Sequence, residues 1–145
     1  MPGHLIRRLH QISTNVFAQR VRAAGFDLTP VQFAALDALG HRPGIDQAGL
    51  AEATAKDRAT VGAVVDRLVQ KKLVAREVSD RDRRARTLRL TPGGAALLAE
   101  VLPVVRALQA EILPGLTEDE YRQFVALAAK AAGHEGHEGQ DPGGT

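Results

Sequence analysis

Residues 57–72 read DRATVGAVVDRLVQKK, and the pattern of this stretch decides the fold. Asp57 suits a helix N-cap: its carboxylate accepts a backbone N–H two or three residues on and sits at the positive end of the helix dipole. Val61, Val65, Leu68 and the apolar stem of Lys72 recur at i, i+4, i+7 and i+11, one apolar stripe at helical period. The opposite face carries Arg58, Ala59, Thr60, Gly62, Ala63, Arg67 and Lys71. It is small in the middle and basic at both ends. Small side chains let a backbone approach base edges closely, and Arg and Thr donate to bases or phosphates. Taken alone the segment reads equally as an ordinary surface helix, so its neighbours must decide.

After Lys72 the period changes. Leu73 to Val78 reads as a strand, Ser79 to Ala85 (SDRDRRA) as a charged turn, and Arg86 to Leu90 (RTLRL) as a second strand. This predicts a β-hairpin whose tip carries Arg81, Arg83 and Arg84, with Asp80 before them and Asp82 among them. A charge run is commonly just a solvated face. At a hairpin tip directly after a helix with a basic face, it suits a wing. Such a wing lays its tip against the minor groove of DNA while the helix occupies the major groove.

The stretches TPVQFAALDAL (29–39), IDQAGLAEA (45–53), DRATVGAVVDRLVQKKLVAR (57–76), SDRDRRARTLRLT (79–91) and PGG (92–94) together resemble the MarR family of winged helix-turn-helix regulators. The resemblance covers about residues 4–132. Its most specific part is the D-x-R wing pattern followed by an alternating strand ending L-T-P-x-G. It implies that Asp82 orients Arg84, which enters the minor groove; Arg83 and Arg86 are also expected to contact DNA. Lys72 departs from the pattern, because the family usually has Gly there. Gly suits the left-handed residue after a helix, so the resemblance leaves the form of that turn open.

Composition bounds the rest. The chain has 145 residues, 44% hydrophobic and 25% charged, a globular balance with enough length for a core. No run approaches the ~18 apolar residues of a membrane span, and no leader with a cleavage site is recognisable. Cysteine is absent. That excludes disulfides, thiolate metal sites and cysteine-based peroxide sensing, and it is compatible with the cytoplasm. Net charge is only +2, yet residues 41–91 hold twelve Lys/Arg against seven Asp/Glu. Positive charge therefore gathers where the DNA reading needs phosphate contacts.

In chain order, a first helix is expected over 4–24. Leu5, Leu9, Ile12, Val16 and the Arg20 stem form its stripe, widened by Ile6, Phe17 and Val21, and Gly25 follows its end. Thr29 with Gln32 forms a capping box, with Pro30 at the first helical position, opening a second helix to about Leu39. Gly40–Gly44 reads as a turn. Asp46 caps a third helix to about Thr54, and the short link to Asp57 completes a helix-turn-helix. A fifth helix starts at Thr91-Pro92 with the same cap logic, contains Pro103 and stops at Pro114-Gly115. A sixth, opened by Thr117 and Glu120, runs to about Ala132 and is expected to bury Tyr121, Phe124, Val125 and Ala128.

The expected fold is mainly α with a small β-hairpin wing. It comprises a DNA-binding lobe (29–91), terminal helices (4–24 and 92–132) and a flexible tail (133–145). The terminal helices carry more apolar surface than the lobe can cover, which points to a two-fold homodimer on a palindromic double-stranded operator. In the tail, His134, Glu135, His137 and Glu138 lack the spacing of a helical metal motif, and neither metal nor cofactor is expected.

Two function classes remain: a ligand-responsive regulator, and a ligand-independent DNA-binding repressor or architectural protein. An enzyme finds no support, because no nucleophile–base set or phosphate-binding Gly loop can be assembled. GHLIRRLHQI (3–12) is similar to the first helix of family members that respond to small aromatic acids. That resemblance implies that Arg7 pairs with the ligand carboxylate, a role a guanidinium fills bidentately. His10 and Gln11 then complete the polar end, Phe17 and Phe33 line the apolar end, and His41 and Arg106 are further anion-site candidates. Otherwise these histidines serve as surface or capping residues.

Overall fold

The structure, a computed structural model, describes residues 1–78 and 86–133. The expected Asp82, Arg83 and Arg84 contacts and the tail histidines lie outside the described residues. The chain divides into two compact units, Met1–Ile112 and Leu113–Thr145.

The first unit contains α1 (Pro2–Ala23), α2 (Pro30–His41), α3 (Gln47–Thr54), α4 (Arg58–Gln70), β1 (Val74–Val78), β2 (Arg86–Leu90) and α5 (Pro92–Ile112). Side-chain caps set four of the starts; at α5, Thr91 Oγ1 accepts from Gly94 N–H at 3.0 Å. Thr29 and Gln32 exchange both bonds of a capping box. Asp46 accepts from Gly49 N–H at 2.7 Å, and Asp57 from Thr60 N–H at 2.8 Å. Pro103 lies inside α5. That helix ends at Ile112, two residues before the expected stop at Pro114.

α1 and α4 end in the same way. After α1, Gly25 takes a left-handed φ of 90°. Gly25 N–H donates to Arg22 O and Phe26 N–H to Val21 O. After α4, Lys72 takes φ 63°, with its N–H on Val69 O and Leu73 N–H on Leu68 O. Both are Schellman motifs. Lys72 is thus an exposed residue beyond the helix, not part of the buried stripe the sequence assigned it to. The turn keeps the geometry a glycine would give it. Neighbours hold it there: Thr91 Oγ1 donates to Lys72 O at 2.7 Å, and Thr91 N–H donates to Leu73 O at 3.0 Å. Gly94 packs so closely that a Cβ would stand 2.0 Å from Leu73 O. Only glycine fits where the start of α5 crosses this turn.

β1 and β2 pair antiparallel, with Val74 opposite Leu90 and Val78 opposite Arg86. Val74 and Leu88 are buried. A third segment joins β2. Gly44 N–H donates to Leu88 O, Leu88 N–H to Ile45 O, and Asp46 bridges Thr87. The sequence shows only a turn there, because three residues of strand carry no period of their own.

One contiguous core binds the unit. Leu36 and Leu39 of α2, Leu50 of α3, Val61, Val65 and Leu68 of α4, and Val101 and Leu108 of α5 are all buried in it. α1 packs chiefly on α5. On α1, burial falls on Phe17 and Val21, at one edge of its stripe. Leu9, Ile12 and Val16 are half-buried, and Leu5 and Ile6 are exposed.

The second unit contains α6 (Glu118–Ala131), opened by the Thr117–Glu120 capping box. The Thr117 backbone N–H, then its hydroxyl, holds the Glu120 carboxyl below its ordinary value. The expected burial here is corrected. Tyr121, Phe124 and Val125 are half-buried, Ala128 is exposed, and α6 has no buried residue. An amphipathic stripe says which side of a helix seeks cover, not that the same chain supplies it. Among the described residues, no helix is long and apolar enough to cross a membrane.

Candidate nucleic-acid interface

α3 packs on α4 across a short turn in which Ala55 adopts a left-handed φ of 54°. With Val61, Val65 and Leu68 turned into the core, the helical period sends Ala59, Ala63, Arg67 and Gln70 outward; all four are exposed. Arg58 is exposed at the N-terminal end. The outward surface is therefore small along its middle, as the sequence requires for close approach to bases.

Asp57 holds the start of this helix with both oxygens. Oδ1 accepts from Thr60 N–H and Oδ2 from Thr60 Oγ1–H, each at 2.8 Å. The Thr60 backbone bond, then its hydroxyl, keeps the Asp57 carboxyl below its ordinary value. The Thr60 hydroxyl proton is committed to this cap. Its oxygen can still accept, so in this arrangement Thr60 offers DNA an acceptor and a methyl group, not the donor expected of it.

The basic residues divide. Arg67 Nη1 donates to Gln70 Oε1 at 3.0 Å along the outward face. Lys71 turns away: its Nζ lies 3.4 Å from Asp27 O and 3.7 Å from Asp27 Oδ2, which ties the end of α4 to the α1–α2 link. The structure thus does not bring Lys71 to the surface formed by Ala59, Ala63 and Arg67. Arg76 of β1 pairs with Asp66 of α4, joining the wing to the helix and neutralising a carboxylate near the outward face. Arg86 is exposed at the first residue of β2, opposite Val78. Gly62 is half-buried. A Cβ there would meet Nε2 of Gln47 at 3.1 Å. Neither Gln47 nor the Asp66–Arg76 pair stands out in the sequence, because each depends on contacts between separate elements.

The residues expected to hold a ligand fall into two groups. Phe17 and Phe33 come together, with ring centroids 5.8 Å apart and planes tilted by 49°. Arg7, His10 and Gln11 are exposed on the first turns of α1. Arg7, His10 and Phe17, spaced at i, i+3 and i+10, share one side of that helix. His41 is exposed at the end of α2, where its Nδ1 donates to Asp37 O at 2.8 Å. This is the capping role open to a histidine at a helix C-terminus. A groove of about 400 Å³ lies elsewhere, between α1 and α5. Pro103, Val104, Ala107 and Leu108 wall it, and the Arg20–Glu111 ion pair (2.7 Å) spans it.

Comparison with known proteins places this geometry. The MarR family model matches residues 26–85. NicR, an HTH-type transcriptional repressor of Pseudomonas putida, is 36% identical over 128 residues, covering 88% of this chain and 80% of NicR. The structure of BpsR from Bordetella bronchiseptica, whose DNA binding is regulated by 6-hydroxynicotinic acid, superposes with a TM-score of 0.84. It is 34% identical, with 91% of this chain and 93% of BpsR covered. A mutant MarR from Escherichia coli complexed with operator DNA superposes with a TM-score of 0.81 at 28% identity, covering 89% of this chain and 91% of that one. The chain belongs to the MarR family of winged helix-turn-helix transcriptional regulators.

Proposed function

We propose that the chain is a homodimeric repressor that binds a near-palindromic operator and is released from it by a small aromatic carboxylate. The observation that carries the DNA half is α4. Its apolar stripe is buried, its outward face is small, and Arg58 and Arg67 stand towards its two ends, beside a hairpin anchored to it by Asp66 and Arg76. Two copies related by a two-fold axis set two such helices into successive major-groove faces. The exposed Leu5 and Ile6 of α1 and the stripe of α6, none of whose residues is fully buried, support that pairing, with α1, α5 and α6 as the dimerisation helices.

The effector half is supported by BpsR and by Arg7. A carboxylate entering an apolar cleft needs a charged partner, since an unpaired buried charge costs several kcal/mol. Arg7 supplies a guanidinium on the side of α1 that carries His10 and, further along, the Phe17–Phe33 pair. Release follows when the ligand favours a dimer whose α4 helices no longer match the operator spacing. A tenfold loss of affinity needs a coupling of only about 1.4 kcal/mol.

The test is duplex binding with and without a panel of aromatic acids that includes 6-hydroxynicotinic acid. Arg7→Ala should abolish the response and leave ligand-free binding and its salt dependence unchanged. Arg7→Lys should restore it partly. If no small carboxylate alters wild-type binding, the protein is a ligand-independent repressor. For the wing, Arg84→Ala should weaken binding strongly at fixed salt with little change in melting temperature. A loss smaller than twofold would remove Arg84 from the interface.

A further inference from the structure

Gly62 stands in the interior of α4, where glycine costs about 1 kcal/mol against alanine. Something must favour it. Its small size suits close approach between backbone and base edges, but in the structure a side chain of α3 already borders the space. A Cβ on Gly62 would stand 3.1 Å from Nε2 of Gln47, the first residue of α3. The glycine is a seat for that amide.

The seat has a definite place on the helix. Gly62 follows the buried Val61, about 100° around the axis. It therefore borders the outward row of Ala59, Ala63 and Gln70 and does not stand at its centre. An amide held there lies beside the surface α4 turns to the groove, on the side from which α3 approaches. The sugar–phosphate backbone runs along the rim of a groove, and a side-chain amide carries two N–H donors for its oxygens.

We propose that Gln47 donates a hydrogen bond to a phosphate oxygen of the bound duplex, and that Gly62 is glycine in order to seat it. This rests on the DNA-binding reading above. The contact fixes the register of α4 on the duplex without reading a base. Because the amide is neutral, it releases no counterion.

The experiment uses the full chain and a duplex selected by the wild type from a random-sequence pool, alongside the same duplex with altered bases. Gln47→Ala should weaken both duplexes by the same factor, about tenfold for a bond to a charged acceptor, with an unchanged slope against salt. Gly62→Ala should weaken both about threefold by displacing the amide, while its melting temperature holds or rises because alanine is the better helix former. The double variant should bind no worse than Gln47→Ala alone, since both act through one contact. Gln47→Lys should bind better than Gln47→Ala and steepen the salt slope by about one.

The proposal is overturned by a Gln47→Ala chain within twofold of wild type, or by a Gln47→Lys chain no better than Gln47→Ala. A Gln47→Ala chain that changes the ratio between the two duplexes overturns it as well, because that marks a base contact. If Gly62→Ala costs as much on the Gln47→Ala background as on the wild type, Gly62 serves the bases and not Gln47. A wild type that selects no duplex overturns the DNA-binding reading itself, and is seen before any substitution is made.

Discussion

α4 and α1 are built on the same plan and treated differently by the fold. Each carries an apolar stripe at helical period, and each ends in a Schellman motif with a left-handed residue. In α4 the stripe is closed over: Val61, Val65 and Leu68 are 2%, 0% and 0% exposed. In the first turns of α1 it is open, with Leu5 at 57% and Ile6 at 64%. α4 starts on the Asp57 side-chain cap, whereas α1 starts at Met1 with no side-chain cap. α1 ends on glycine, whereas α4 ends on lysine. The helix proposed to meet DNA is thus locked at both ends and along its inner face by its own chain. The start of α1 is left apolar and uncovered, as a surface meant for a second copy would be.

The largest difference should appear in the stripes. Leu68→Ala removes a fully buried side chain and should cost about 2–5 kcal/mol of unfolding free energy, read by urea denaturation. A cost near zero would mean that α4 is not locked as described. Ile6→Asp tests the open end. Far-UV circular dichroism should stay as in the wild type, while sedimentation at micromolar concentration falls from twice 15.5 kDa towards 15.5 kDa. A variant that remains fully dimeric would show that this end of α1 faces solvent, and the contrast between the helices would lose its meaning.

The helix ends sharpen the comparison at smaller scale. A left-handed backbone costs a residue with a Cβ about 1–2 kcal/mol. Lys72→Gly relieves that strain but frees the unfolded chain. The net gain should be about 1 kcal/mol, or roughly 2–4 °C in melting temperature. Gly25→Ala is the mirror experiment. Nothing lies within 4 Å of a Cβ there, so its loss of about 1 kcal/mol should come from the backbone alone. If Lys72→Gly destabilises the protein, the lysine side chain supplies more than the turn costs.

The smallest effect concerns the cap. The folded Asp57 carboxyl lies below its ordinary value of 3.8. Its stabilising share is therefore complete above that value and lost as pH falls through the folded one. Asp57→Asn keeps an acceptor but does not titrate. Wild type should melt a degree or two higher than Asp57→Asn at neutral pH, at about the scale of an exposed cap, and the gap should close below pH 3.8. A gap unchanged at pH 3 would assign the difference to something other than the carboxylate charge.

The sequence by itself determined the local structure. Thr29, Asp46, Asp57, Thr91 and Thr117 mark five helix starts, because a cap bonds a backbone N–H three residues on. The switch from period 3.6 to period 2 after Lys72 marks the hairpin for the same reason: each signal lies within a few neighbouring residues. The outward face of α4 was legible because its buried stripe fixes the opposite side.

Tertiary structure decided what depends on residues far apart in the chain. It buried α1 at Phe17 and Val21, on one edge of its stripe, because α5 and α2 meet it there. It added Gly44–Asp46 as a third partner of β2, through bonds between residues more than forty positions apart. It drew Lys71 to Asp27, paired Asp66 with Arg76, and set Gln47 over Gly62. It also held Lys72 in a conformation that suits glycine, since Thr91 bonds the turn and Gly94 packs against it. Local preference is a matter of about 1 kcal/mol per residue, and packing against other elements is strong enough to override it.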